Sequence, residues 1–226
     1  MNKLMLFFFL AIPTYIVSDL KTDLDKQLNP LMDKVIEWRH DIHQYPELSN
    51  REFRTAKKVE DHLLSLGIEI ENKIAYTGVV GFIRGALPGP TIALRADMDA
   101  LPVIEKTGLP FASIETTEYL GQDVGIMHAC GHDAHVAILM GVAEFLSKNK
   151  DKLKGNIMLI FQPAEEGPPE GENGGAKMML EEGIFDKYKP EAIFGLHVGN
   201  GPHGYIGVSK GPAMAAAGTY RIKIKG

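Results

Sequence analysis

The sequence contains a single cysteine, Cys130, among 226 residues. One cysteine excludes an internal disulfide, so Cys130 is a buried bystander, a reactive thiol or a metal ligand. A basic excess is also lacking. The net charge is -5, which argues against the basic patch that a nucleic-acid partner requires. No apolar run reaches the roughly 20 residues of a membrane-spanning helix. The longest, 4–17, is interrupted by Pro13 and Thr14. Preceded by Asn2 and Lys3, it predicts an export signal over 1–18 with a cleavage site near Ser18. An uncleaved anchor is the alternative. The expectation is a secreted or periplasmic protein with no stable membrane insertion after cleavage. Internal repeats and low-complexity tracts are absent.

A hydrophobic content of 45% is enough for a full core, as one large domain or as a domain plus a fragment. Leu31, Val35, Trp38 and Ile42 share a helical stripe that Pro46 stops. Ser49 and Glu52 have the spacing of a capping box. The helix they open carries the stripe Phe53, Ala56, Val59, Leu63 and Leu66, and Gly67 closes it. Residues 68–70 and 79–83 read as short strands. Then a pattern recurs. An apolar strand over 91–96 runs into Asp97 and Asp99, one over 157–161 into Glu165 and Glu166, and one over 192–196 into His197. Helices over 134–146 and 176–182 lie between them. Such alternation predicts an α/β fold with a mainly parallel or mixed sheet flanked by helices, whose ligands sit beyond the carboxyl ends of the strands. Residues 163–175 form a loop. Residues 219–225 alternate apolar and charged, as a half-exposed strand does.

The chemistry-bearing residues cluster at those strand ends and, most densely, just before the helix over 134–146. In HACGHDAH (128–135), a thiol and an imidazole two positions apart can reach one metal if the chain bends at Gly131. In QPAEEG (162–167), adjacent carboxylates are expected to point in different directions. One can bind metal while the other serves as a general base, although a solvated acidic loop is the plainer reading of such a pair alone. His197 at a strand end is a ligand candidate only in company with these clusters. In RADMDALP (95–102), Asp97 and Asp99 can ligate metal, orient a ligating histidine, or make an ordinary cap or ion pair with Arg95.

Together, WRHDIHQYPE (38–47), RADMDALP (95–102), HACGHDAH (128–135) and FQPAEEG (161–167) resemble the hippurate hydrolase and N-acyl-amino-acid deacylase group of dinuclear metallopeptidases. That aminoacylase-like group includes the auxin-conjugate hydrolases. The resemblance runs from about Leu31 to the end of the chain. It implies a zinc-exopeptidase-like catalytic domain over 19–212 and the first strand of a small α+β lid and dimerisation domain over 213–226. It implies two divalent cations, manganese or zinc, with nickel or cobalt also compatible. Cys130 would be a bridging ligand, with His132, Glu166 and His197 as further ligands. Glu165 would be the general base, and Asp99 would orient a ligand from behind. No role carries over to His128, His135 or Asp97, and the helix bearing His40 and His43 reads as structural. The reaction implied is hydrolysis of a small N-acyl amino acid or dipeptide, and a full-length form would be a homodimer. Family members continue through the lid and return with one more histidine ligand. This sequence ends at Gly226, and His203, in a turn, is no substitute.

Two rival readings follow from the same residues. One is a hydrolase with Cys130 as nucleophile, which leaves Glu165, Glu166 and His197 without a task. The other is an inactive or metal-binding fragment lacking its last ligand.

Overall fold

The structure, a computed structural model, describes residues 14–213 together with Ile222, Ile224 and Lys225. The segment 1–13 and most of the strand expected over 219–225 lie outside the described residues. Helix α1 (Thr14–Gln44) runs without a break through Ser18, the expected cleavage position, and contains Pro30. No helix among the described residues is long and apolar enough to cross a membrane. Helix α2 (Phe53–Ser65) is followed by strands β1 (Glu69–Ile74), β2 (Gly78–Arg84) and β3 (Leu87–Asp97). A small hairpin comes next, β4 (Thr116–Tyr119) and β5 (Gln122–Gly125). Helix α3 (His132–Lys148), β6 (Lys154–Gln162), α4 (Gly175–Glu181), α5 (Ile184–Tyr188) and β7 (Ala192–Gly195) complete the order.

The main sheet has strand order β1-β2-β6-β3-β7. β1–β2 and β2–β6 are antiparallel, while β6–β3 and β3–β7 are parallel, so the sheet is mixed. The apolar run of β6 explains its central place. Ile157, Leu159 and Phe161 join the core under α1, α2 and α3, whereas Met158 and Ile160 join the core under α4 and α5. A strand covered on both faces must be apolar at every position. β2 divides in the same way, with Val79 and Ile83 on one face and Val80 and Phe82 on the other. Helix α3 lies close on α1, because a Cβ at Gly141 would come within 2.7 Å of Val35 Cγ2.

From β3 the chain passes through α3 to β6 on one side, then returns through α4 and α5 to β7 on the other side of β3. The connections therefore diverge around β3, and the carboxyl ends of β3, β6 and β7 share one edge. That is the switch point where open α/β sheets bind ligands. Leu159 is fully buried at the sheet centre. Leu159→Ala should lower unfolding free energy by about 3 kcal/mol, the range for a large-to-small change at a site that cannot collapse. Urea denaturation checks this, and a loss below about 1 kcal/mol would contradict the placement of this core.

Three local expectations are corrected. Ser49 and Glu52 form no capping box, for α2 has no side-chain cap at Glu52. The Glu47 carboxylate instead accepts from the backbone N–H groups of Arg54 (2.9 Å) and Thr55 (2.8 Å). Phe53, placed on the core stripe, is 62% exposed, while Thr55 is buried in its stead. The strand over 192–196 is not buried like the other two: β7 pairs only with β3 among the described residues, and Ile193 and Phe194 are exposed.

Candidate metal centre

Three strand ends and one helix start build the site. β3 delivers Asp97 and, two residues on, Asp99. β6 ends at Gln162 and turns into the loop of Glu165 and Glu166. β7 ends at Gly195, two residues before His197. Helix α3 begins at His132, just after Cys130. The turn into α3 needs Gly131, whose φ is +88° and whose place for a Cβ is filled by Val198 Cγ2. Gly131→Ala should therefore destabilise the chain by about 1–3 kcal/mol through left-handed strain, with more from the clash. It should also displace the His197 loop and lower metal uptake. An unchanged melting temperature and metal content would show that the turn is not required.

His132 is fully buried at the centre. Its Nδ1 lies 2.8 Å from the backbone oxygen of Asp99 and 3.3 Å from Asp99 Oδ1. Carbonyl and carboxylate oxygens only accept, so Nδ1 carries the proton and Nε2 presents a lone pair. That Nε2 is buried with no hydrogen-bond partner among the described residues. It faces Asp97 Oδ2 at 3.6 Å, Glu165 Oε2 at 3.7 Å and Glu166 Oε1 at 3.8 Å. Burial pulls the His132 pKa down, but Asp99, Asp97 and Glu166 outweigh it and hold it above the ordinary value. The nest thus attracts positive charge, as a proton or as a cation.

Cys130 Sγ lies 3.4 Å from His197 Nε2. Its thiol is pushed up to about 12, first by burial and then by the hydrogen bond and charge of Glu166 and the charges of Glu165 and Asp97. A nucleophilic cysteine needs the opposite environment, one that favours thiolate. A cation among these acids would restore thiolate character. Candidate ligand atoms of Cys130, His132 and His197, of His132, Glu165 and Glu166, and of Asp97, His132 and His135 lie within 4.8 Å of one another in each group. Sulfur, imidazole and carboxylate donors around an unpartnered buried nitrogen fit a divalent metal centre.

The fold brings Cys130, His132, Glu165, Glu166 and His197 to one place, with Asp99 behind His132. Asp99 Oδ2 accepts from Ser49 Oγ (2.7 Å) and the Glu166 N–H (2.9 Å), so it supports two of these residues at once. The adjacent glutamates do not point in different directions, as expected from their being neighbours; both reach toward His132 Nε2. Left-handed backbone at Ala164 (φ 48°) and at Gly167 (φ 106°) turns the loop back on itself. They differ instead in anchorage. The Glu166 side chain is 23% exposed and contacts Cys130, whereas that of Glu165 is 39% exposed.

Sequence reasoning missed Ser49 and Glu52 as parts of this site. Glu52 is buried and accepts from Ala164 N–H at 2.8 Å and from Thr77 Oγ1 at 2.6 Å, pinning the glutamate loop. The only sequence signal was their closeness to the motif at 38–47. His43 ties α1 to α3, with Nδ1 3.0 Å from Asp133 Oδ2, and His40 stacks on Phe111. Beside Glu166 opens a cavity of about 410 Å³, walled by Leu48, Leu101, Tyr119 and Leu120 and also by Arg51 and Glu118.

A mixed-sheet α/β domain with sulfur, imidazole and carboxylate donors converging at its switch point has the make-up of a metal-binding enzyme domain. The chain belongs to the peptidase family M20/M25/M40, whose model matches residues 93–224. It is 46% identical over 210 residues to thermostable carboxypeptidase 1 of Saccharolobus solfataricus, covering 92% of this chain and 50% of that protein. It is 45% identical over 202 residues to an N-acetyl-L-cysteine deacetylase of Bacillus subtilis, covering 88% and 44%. The solved Bacillus subtilis YXEP protein, described as a dinuclear metal-binding peptidase of the M20 family, superposes with a TM-score of 0.64 at 42% identity, covering 75% of this chain and 43% of its own. The chain therefore spans about half the length of the curated relatives it matches.

Proposed function

We propose that this chain carries the metal centre and general base of an amidohydrolase that cleaves N-acyl amino acids or dipeptides. The observation that carries the reading is the buried, unpartnered Nε2 of His132, set among Cys130, Glu165, Glu166 and His197. Cys130, His132, Glu166 and His197 would hold two divalent cations, manganese or zinc, with nickel or cobalt also compatible. Bound there, the metal supplies Lewis-acid polarisation of the amide carbonyl and lowers the pKa of a water toward about 7. Glu165, the more exposed glutamate, takes the proton of the attacking water and delivers it to the leaving nitrogen. Asp99 keeps His132 in the tautomer that leaves Nε2 free. The cavity beside Glu166, lined by both apolar and charged side chains, offers a place for the acyl group or side chain. The names of the relatives, a carboxypeptidase and an N-acetyl-L-cysteine deacetylase, support an amide adjoining a carboxylate. Export rests on the apolar segment at the N-terminus, and dimerisation of a longer form rests on the family resemblance.

Assay of the 226-residue chain against hippurate with added manganese or zinc tests the reading. Hydrolysis that a chelator stops is expected, and a thiol-alkylating reagent should lower it only when applied to the metal-free protein before metal is restored. Hydrolysis that survives chelation would return the Cys130 nucleophile to favour, and metal uptake without turnover would select the fragment reading.

A further inference from the structure

His197 sits on an exposed loop, yet a metal ligand must be held in one orientation. The loop's fixed point is the next residue. Val198 N–H donates to His135 Nε2 at 2.9 Å. A backbone N–H only donates, so that Nε2 must be bare and the ring proton must reside on Nδ1. Nδ1 duly donates to Asp97 Oδ1 at 2.6 Å. Asp97 is in turn fixed through Oδ2 by Arg95 Nη1 at 2.6 Å, and Arg95 Nε donates to Gln162 Oε1 at 3.0 Å. The result is one continuous chain of bonds from β6 through β3 and α3 to the His197 loop, with donors converging on the Asp97 carboxylate. His135 is buried, so water does not compete for either nitrogen. Its ring lies 4.8 Å, centroid to centroid, from that of His197. Although Asp97, His132 and His135 could be grouped as metal ligands by distance alone, both nitrogens of His135 are already committed.

We propose that His135, oriented by Asp97, is a positioning residue that holds the Val198 backbone and thereby presents His197 to the Cys130 side of the metal centre. This rests on the reading of His197 as a ligand.

Two amide substitutions separate the two bonds of the ring. In His135→Asn the side-chain nitrogen stands where Nδ1 stood, keeping the bond to Asp97 and losing Val198. In His135→Gln the side-chain oxygen stands where Nε2 stood, keeping Val198 and losing Asp97. The first readout is hydrogen exchange of the Val198 amide in the metal-free chain, followed by NMR. Protection is expected in the wild type and in His135→Gln, with exchange about tenfold faster in His135→Asn. The second is zinc affinity by chelator competition. His135→Asn should bind about 10–100-fold more weakly, and His135→Gln within about threefold of wild type. In a His197→Ala background the two variants should bind zinc equally. Equal exchange and equal affinity of the Asn and Gln variants with His197 present would overturn the proposal. If His197→Ala alone leaves zinc affinity unchanged, the ligand reading fails, while the exchange experiment still decides whether His135 holds the loop.

Discussion

Glu165→Gln leaves the metal content of the protein nearly unchanged and abolishes hydrolysis, whereas Glu166→Gln lowers both. This division is the expected result because the two carboxylates have different neighbours despite being adjacent. Glu166 contacts Cys130, and its backbone N–H is fixed by Asp99 Oδ2. It is placed to be committed to a cation. Glu165 is the more exposed and keeps its carboxylate free to move a proton. Removal of a general base costs about 10²–10⁴-fold in rate. Elemental analysis of the purified variants, beside the hippurate assay, measures both effects. Equal metal loss in the two variants would mean that both glutamates are ligands and that the base is another group.

Glu52 gives the second large effect, on stability against pH. Burial pushes its carboxyl from the ordinary 4.5 up to about 7, partly offset by the bonds from Thr77 and Ala164, with the charge of Asp99 adding to the rise. Between those values the folded chain keeps a proton that the unfolded chain has already lost. Stability carried by Glu52 is therefore complete below about pH 4.5 and is lost as pH rises toward about 7. The loss is on the order of 3 kcal/mol. Glutamine cannot ionise, yet its oxygen can accept from Ala164 N–H and its nitrogen can donate to Thr77. In urea denaturation of metal-free protein, Glu52→Gln should match the wild type near pH 4.5 and exceed it by about 3 kcal/mol at pH 8. Groups common to both proteins cancel in this difference. A gap that does not vary with pH would show that Glu52 is not held protonated by burial. The buried acid destabilises the fold at neutral pH while fixing the loop of Glu165 and Glu166, a conflict between stability and site that is common at functional positions.

Much of the architecture was legible because it rests on periodicity. The strands over 91–96 and 157–161 and the helix over 134–146 are long apolar patterns, and each appears within the element expected. Gly67 ends α2 in the left-handed conformation that its position predicted. The β4–β5 hairpin escaped notice because its strands are short and largely exposed, so they carry no apolar alternation. The grouping of Cys130 and His132 with Glu166 and His197 was expected from two strand ends, one helix start and the family resemblance. The support beneath them was not. Ser49 and Glu52 have the spacing of a helix cap, and only the tertiary approach of Asp99 and Ala164 diverts their side chains. Likewise, nothing local in 128–135 reveals that His135 faces Val198, because that contact spans 63 positions.

The central claim is that a thiolate, two imidazoles and a carboxylate of this chain hold a divalent metal. Cobalt(II) titration of the metal-free protein tests it most directly, because a thiolate bound to cobalt has a charge-transfer absorption in the near ultraviolet. The account predicts that this band grows to saturation in the wild type, disappears in Cys130→Ser, and titrates at higher cobalt concentrations in His132→Ala, Glu166→Gln and His197→Ala. Cobalt binding without the band, or with the same affinity after Cys130→Ser, would contradict it.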